Sequence, residues 1–187
     1  AAAAVAQFGD HRERLARDEL IYQGVVRTPV MALALRVPYC DAWQGMAAEY
    51  FATTADVYRI LGQLPDDADE WPSADGRPKT VTHSVARLAR MVGDDASPAA
   101  TGAVAELARW LQQAQSARLR AAVARVVGDA RVPVVVGAGV GRFLVRELAQ
   151  SLALPYVEYA EALGLAGAAA ANDCAPALAL ACLGLTP

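Results

Sequence analysis

The chain has 187 residues, 55% of them apolar and 20% charged, which is enough to bury the core of one ordinary domain or one and a half small ones. A net charge of −3 and an isoelectric point near 5.4 give no general attraction to nucleic acid or to an anionic membrane, so neither is expected as a partner. Cys40, Cys174 and Cys182 are few, widely spaced and without a CxxC pair, which predicts small core residues of a reducing, cytoplasmic compartment. Ala1 to Ala6 lacks the basic start of a signal peptide, and the alanine-rich stretch from Leu163 to Ala171 is about half the length of a spanning helix.

Asp10 followed by Glu13 is an Asp variant of the capping box and predicts a short helix through Arg17. Leu20 to Val26 has strand composition and is stopped at Thr28-Pro29, and Met31 to Val37 is read as a second strand. From Met46 to Leu64 the apolar residues Met46, Phe51, Val57, Tyr58, Leu61 and Leu64 recur at helical spacing, predicting a helix or a bent pair. Asp66 to Lys79 is acidic and broken by Pro72, Gly76 and Pro78, so it reads as a surface loop. A helix follows from Thr82 to Met91, stopped at Gly93, with Val85, Leu88 and Val92 inward.

Between Thr101 and Val127 the stripe Val104, Leu107, Ala108, Leu111, Leu119, Val123 and Val126 predicts a long helix, with Arg109, Arg118, Arg120 and Arg125 on its solvated face. After Gly128 the period becomes strand-like. The expected order is a strand at Val132–Gly137, a helix at Phe143–Leu152, a strand at Pro155–Tyr159 and a last helix near Pro176–Leu183. The sequence thus divides into an α/β piece over 1–40, a mainly helical stretch over 41–127 and a closing βαβα piece over 128–187.

Val132 to Phe143 carries the strongest motif, a β-branched run leading through Gly137, Gly139 and Gly141 into a helix. Glycines let a backbone approach a ligand, and the N–H groups opening a helix favour a phosphate. A tight βα turn without a ligand is the alternative. The dinucleotide signature G-x-G-x-x-G needs its third glycine one residue later and an acid about 20 residues on, a place Glu158 fills. An NAD(P)-binding module therefore stays among the readings.

Glu49, Thr53 and Asp56 form a second cluster. As helical neighbours at i,i+4 spacing, Glu49 with Thr53 and Ala52 with Asp56 would make a polar stripe beside Phe51, with hard oxygens suited to Mg²⁺. The simpler alternative is a helix start with threonine caps and an exposed acid. Arg27, at a strand end, is placed either to contact a ligand or as a surface cation. Asp75 and Asp94 read most simply as turn residues, the alternative being a metal ligand at a cleft rim. With only His11 and His83, and no H-x-x-x-H, C-x-x-C or G-x-S-x-G, the chain shows neither a zinc site nor a hydrolase elbow.

Taken together, Gly9 to Leu15, Glu19 to Pro29, Glu49 to Gly62, Arg87 to Met91 and Val134 to Leu148 resemble the hydantoinase A/oxoprolinase-like family, within its tetrahydromethanopterin-linked one-carbon-transfer group. The resemblance implies an α/β, actin-like (ribonuclease-H-like) ATPase half-fold with a helical insertion, with Gly137, Gly139 and Gly141 on the nucleotide side. It implies an aryl-ether-forming transferase of methanofuran-type cofactor assembly. That enzyme joins an aminomethylfuran diphosphate to a glutamyl-tyramine phenol and releases pyrophosphate, with Mg²⁺ and ATP or diphosphate as ligands. Glu49 and Asp56 would then be catalytic, Asp56 also a metal ligand, and Arg27 and Thr53 substrate-binding. The family's Asp-x-Gly-Gly and Gly-Ser-Thr-Thr-Thr-Asp phosphate motifs do not occur here, so the expected chain is a C-terminal part that forms a homo-oligomer or needs an N-terminal lobe. A non-catalytic scaffold subunit of the same pathway is the other expectation.

Overall fold

A computed structural model describes residues 2–3, 10–98, 100–127, 134–165 and 169–184. They form two compact units, one over residues 21–119 and one combining residues 2–20 with 120–187. Residues 21–40 therefore group with the helices that follow them, a division different from the three pieces expected. The first two residues of the strand expected at Val132–Gly137, Val132 and Pro133, lie outside the described residues.

The elements before the first unit are β1 (Ala2–Ala3) and α1 (His11–Ala16), the latter capped as expected by Asp10 Oδ1, which accepts the Glu13 N–H at 2.8 Å. β2 is only Leu20–Ile21, shorter than the strand expected through Val26. A 3₁₀ turn occupies Val30–Ala32 where a strand was expected, because Pro29 fixes the chain into a turn and the pairing residues begin only at Arg36. β3 (Arg36–Tyr39) and β4 (Ala42–Gly45) form an antiparallel hairpin through Cys40 and Asp41, both at positive φ. Cys40 is exposed at this turn, Cys174 is exposed and Cys182 half-buried, so the cysteines do not fill the core as expected.

Helix α2 runs from Thr54 to Ile60, with Thr53 as its cap. The expected helix from Met46 is corrected here: Met46 and Phe51 fall at helical spacing by coincidence, Ala42–Gly45 is strand, and the chain stays non-helical up to the Thr53 cap. After the loop come α3 (Val81–Arg90), stopped by Gly93 at φ +72°, and α4 (Ala100–Val127). Val57, Val85, Leu88, Met91, Val104, Leu107 and Leu111 from these helices close on Val30 and Val37 to make one core, each 6% exposed or less. Burial of such side chains contributes roughly 1.5–3 kcal/mol each. Arg109, Arg118, Arg120 and Arg125 are exposed as expected.

The second unit contains β5 (Val135–Gly137), α5 (Arg142–Ser151) and β6 (Tyr156–Glu158), with β5 and β6 parallel, the βαβ order read from the sequence. Leu144, Leu148 and Ala149 are the buried face of α5. Helices α6 (Tyr159–Ala162), α7 (Ala169–Asp173) and α8 (Ala175–Gly184) complete it. Among the described residues no helix is long and apolar enough to cross a membrane.

Candidate functional site

The first unit holds a small, open depression walled by Arg27, Tyr50, Thr53, Asp56, Trp71 and Arg87, with Asp69 and Ser73 beside them. Three of the residues singled out from the sequence, Arg27, Thr53 and Asp56, meet here. Glu49 does not: it is exposed, lies before α2 and is absent from the lining, so the i,i+4 stripe with Thr53 does not form.

Local structure fixes the backbone on both sides of Arg27. The Gly24 N–H donates to Thr28 Oγ1 at 2.8 Å, closing the turn that carries it. The α2 start then clamps this segment, with Ala55 N–H on the Val26 carbonyl at 3.2 Å and Thr54 N–H on the Thr28 carbonyl at 2.9 Å. Gln115, buried on α4, donates to the Gly24 carbonyl at 3.1 Å and accepts the Tyr58 hydroxyl at 2.8 Å. The Thr54 and Ala55 N–H groups open α2 and would otherwise lack partners.

Beneath Arg27 lies a network of buried charge. Asp56 occupies the N3 position of α2 and accepts the Thr53 N–H on Oδ2 at 3.1 Å, half of a capping box. Its Oδ1 receives Arg87 Nη2 at 2.7 Å, Arg87 Nε at 2.9 Å and the Ser84 hydroxyl at 2.8 Å. Asp56 is 3% exposed, so the exposed acid of the capping alternative is corrected: α3 swings Arg87, itself 1% exposed, onto the carboxylate. Arg87 Nη1 reaches Asp75 Oδ1 at 3.0 Å. Burial works against the Asp75 carboxylate, but the Arg77 N–H and the Arg87 guanidinium outweigh it and hold Asp75 below the usual carboxylate range. Burial likewise disfavours charge on Arg87, and Asp56 with Asp75 overcomes it and raises the guanidinium further.

The loop from Asp66 to Lys79 is strapped down at two points. Asp69 takes Arg59 Nη2 at 2.7 Å and Lys79 Nζ at 3.7 Å, and Asp75 takes Arg87. Between these anchors stands Trp71, 58% exposed, with the Arg27 guanidinium 5.1 Å from its ring centre. The carboxylates of the pocket are thus matched by Arg87, Arg59 and Lys79. Arg27, exposed at the rim, has no carboxylate partner among the described residues.

Neither Trp71 nor Arg87 was singled out by spacing. An exposed tryptophan in an otherwise polar, acidic loop is the available signal for the first. Ser84 and Arg87 at i,i+3, opposite an N3 acid on another helix, give no local sign of the second.

Asp56 has both oxygens engaged by protein donors, and among the described residues no group of three or more His, Cys, Asp or Glu stands together to hold a metal. The donor set does not fit a directly bound Mg²⁺ at Asp56, since a cation there would displace Arg87.

In the second unit, Gly137 and Gly139 have structural reasons. A Cβ on Gly137 would lie 1.9 Å from Tyr156 Oη, and Gly139 has φ +75°. The Gly139 N–H donates to the Asn172 carbonyl at 2.6 Å, and the Arg142 N–H returns to the Gly139 carbonyl at 3.2 Å, so two donors of the turn are used internally. Gly141 caps α5 without a side-chain bond. Glu158, at the end of β6 as expected, pairs with Arg146 and lies 3.3 Å from Arg142 Nε. Burial and the bond to Glu158 raise the Tyr156 phenol above its ordinary range.

The described residues thus define a mixed helical and α/β protein with an aromatic-walled pocket, rimmed by Arg27, over a buried ion-pair network. No family model matches the chain. It is similar to a curated protein of Methanococcus vannielii named (4-{4-[2-(gamma-L-glutamylamino)ethyl]phenoxymethyl}furan-2-yl)methanamine synthase, 30% identical over 83 residues, which are 44% of this chain and 37% of that protein. A protein of the same name from Methanocaldococcus jannaschii is 32% identical over 83 residues, 44% of this chain and 25% of the relative. The match spans well under half the length of either relative.

Proposed function

We propose that this chain takes part in methanofuran-type cofactor assembly and binds the diphosphate of an aminomethylfuran diphosphate at Arg27. The observation that carries the reading is the Arg27 guanidinium, without a carboxylate partner among the described residues, over the ring of Trp71 in a pocket also lined by Tyr50, on a segment held by backbone hydrogen bonds on either side of it. The similarity to synthases whose product name contains a phenoxymethyl-furan linkage supports the same choice of chemistry.

In the proposed reaction the phenol oxygen of a glutamyl-tyramine attacks the furan methylene. A carbon–oxygen ether bond forms, the carbon–oxygen bond to the diphosphate breaks, and pyrophosphate leaves with the electron pair. The phenol proton passes to solvent. A guanidinium fixed before the reaction at the leaving group lowers the barrier, because charge builds on the diphosphate oxygens as the bond breaks. Thr53 stands at the same wall as a substrate contact. Asp56 acts through Arg87, holding the floor of the pocket in place, in preference to acting as a base or metal ligand. Glu49, away from the pocket, is assigned no step.

The actin-like half-fold, the hydantoinase A/oxoprolinase-like grouping and the assembly with a second lobe or copy belong to the same proposal. A nucleotide role for Gly137, Gly139 and Gly141 requires the Gly139 and Arg142 N–H groups to leave their present acceptors, so titration with ATP tests it separately. The experiment for the whole reading supplies the aminomethylfuran diphosphate and γ-glutamyl-tyramine and measures pyrophosphate release. Release that falls at least tenfold on Arg27→Ala supports it; release unaffected by that substitution removes the pocket from the reaction.

A further inference from the structure

Resting on the anion-binding reading of this pocket, we infer that Trp71 is a positioning residue that aims Arg27 at a pyrophosphoryl group. The guanidinium is planar, and its donors lie in its plane. An aromatic face that holds the cation takes up none of its N–H groups as a carboxylate would, and leaves them to fork toward phosphate oxygens. At 5.1 Å from ring centre to Arg27 Cζ, the contact is within the range in which a cation is held by an aromatic face.

The loop geometry gives Trp71 a fixed place from which to do this. Asp69, two residues before it, is tied to Arg59 on α2, and Asp75, four residues after it, is tied to Arg87 on α3. Ser73 Oγ donates to the Arg77 carbonyl at 2.6 Å and tightens the turn that carries Asp75. An exposed tryptophan held at both flanks contributes little to the core, so its burial does not explain its placement. Without the ring, Arg27 would be a long exposed side chain, and ordering it on an anion would cost conformational entropy.

The test titrates sodium pyrophosphate, without added metal, into the 187-residue chain by calorimetry and follows tryptophan emission in parallel. Trp71→Leu should weaken binding about three- to tenfold, the range of an ordinary cation–π contact. Trp71→Phe should keep binding within about twofold yet lose the pyrophosphate-induced emission change, because a phenyl ring still carries the cation. Arg27→Ala should remove binding, and thermal melting of all three variants should match the unsubstituted chain. Binding lost in Arg27→Ala but unchanged in Trp71→Leu overturns the positioning role alone. Pyrophosphate ignored by the unsubstituted chain overturns the anion reading of the pocket and this inference with it.

Discussion

Arg87 Nη2 and Asp56 Oδ1 lie 2.7 Å apart, on α3 and α2 respectively, with both side chains 5% exposed or less. The pair joins the two helices under the pocket and shares its charge with Asp75, Ser84 and Arg59. Two ions so placed are costly to bury, and their value lies in being complete.

Removing either partner strands the other. Asp56→Ala and Arg87→Met should each lower stability by about 3–5 kcal/mol in urea denaturation. The double variant should cost clearly less than the two together, because the stranded charge is then gone. Single losses below about 1 kcal/mol would show that water reaches the pair.

Asp75 supplies a pH dependence with a definite sign. Its folded carboxyl is held below the ordinary value, so its contribution is fully present above the unfolded pKa and is lost as pH falls through the folded one. The stability gap between the native chain and Asp75→Asn should therefore be constant from pH 8 to about 5 and narrow as pH falls below about 4, near the ordinary carboxylate range. A gap unchanged down to pH 3 would separate Asp75 from Arg87.

The glycine turn gives a steric prediction. Gly137→Ala would drive a methyl group into the Tyr156 ring, whose hydroxyl donates to Glu158 at 2.9 Å, and should destabilise the chain by about 1–3 kcal/mol. In a Tyr156→Ala background the same change should cost much less. Gly139→Ala should cost about 1–2 kcal/mol through its positive φ alone. Equal costs for Gly137→Ala in both backgrounds would show that Tyr156 does not cover this glycine.

What could be read from the sequence was what local rules determine. The Asp10 cap, the α3 and α4 stripes and the β5–α5–β6 order each follow from capping or period within one segment. The hairpin from Arg36 to Gly45 was missed because its turn is Cys40-Asp41, without the glycine that usually signals positive φ. Arg27, Thr53 and Asp56 were legible as neighbours of one site, but the burial of Asp56 was not, since it depends on Arg87, 31 residues away. Trp71 needed the folded loop to show what it faces.

The most direct test is equilibrium binding of the aminomethylfuran diphosphate to this chain, with inorganic pyrophosphate as competitor. Saturable binding at one site per chain, displaced by pyrophosphate and abolished by Arg27→Ala, is the expected result. Binding that is absent, or that Arg27→Ala leaves intact, would contradict the assignment of the Arg27 pocket to the diphosphate.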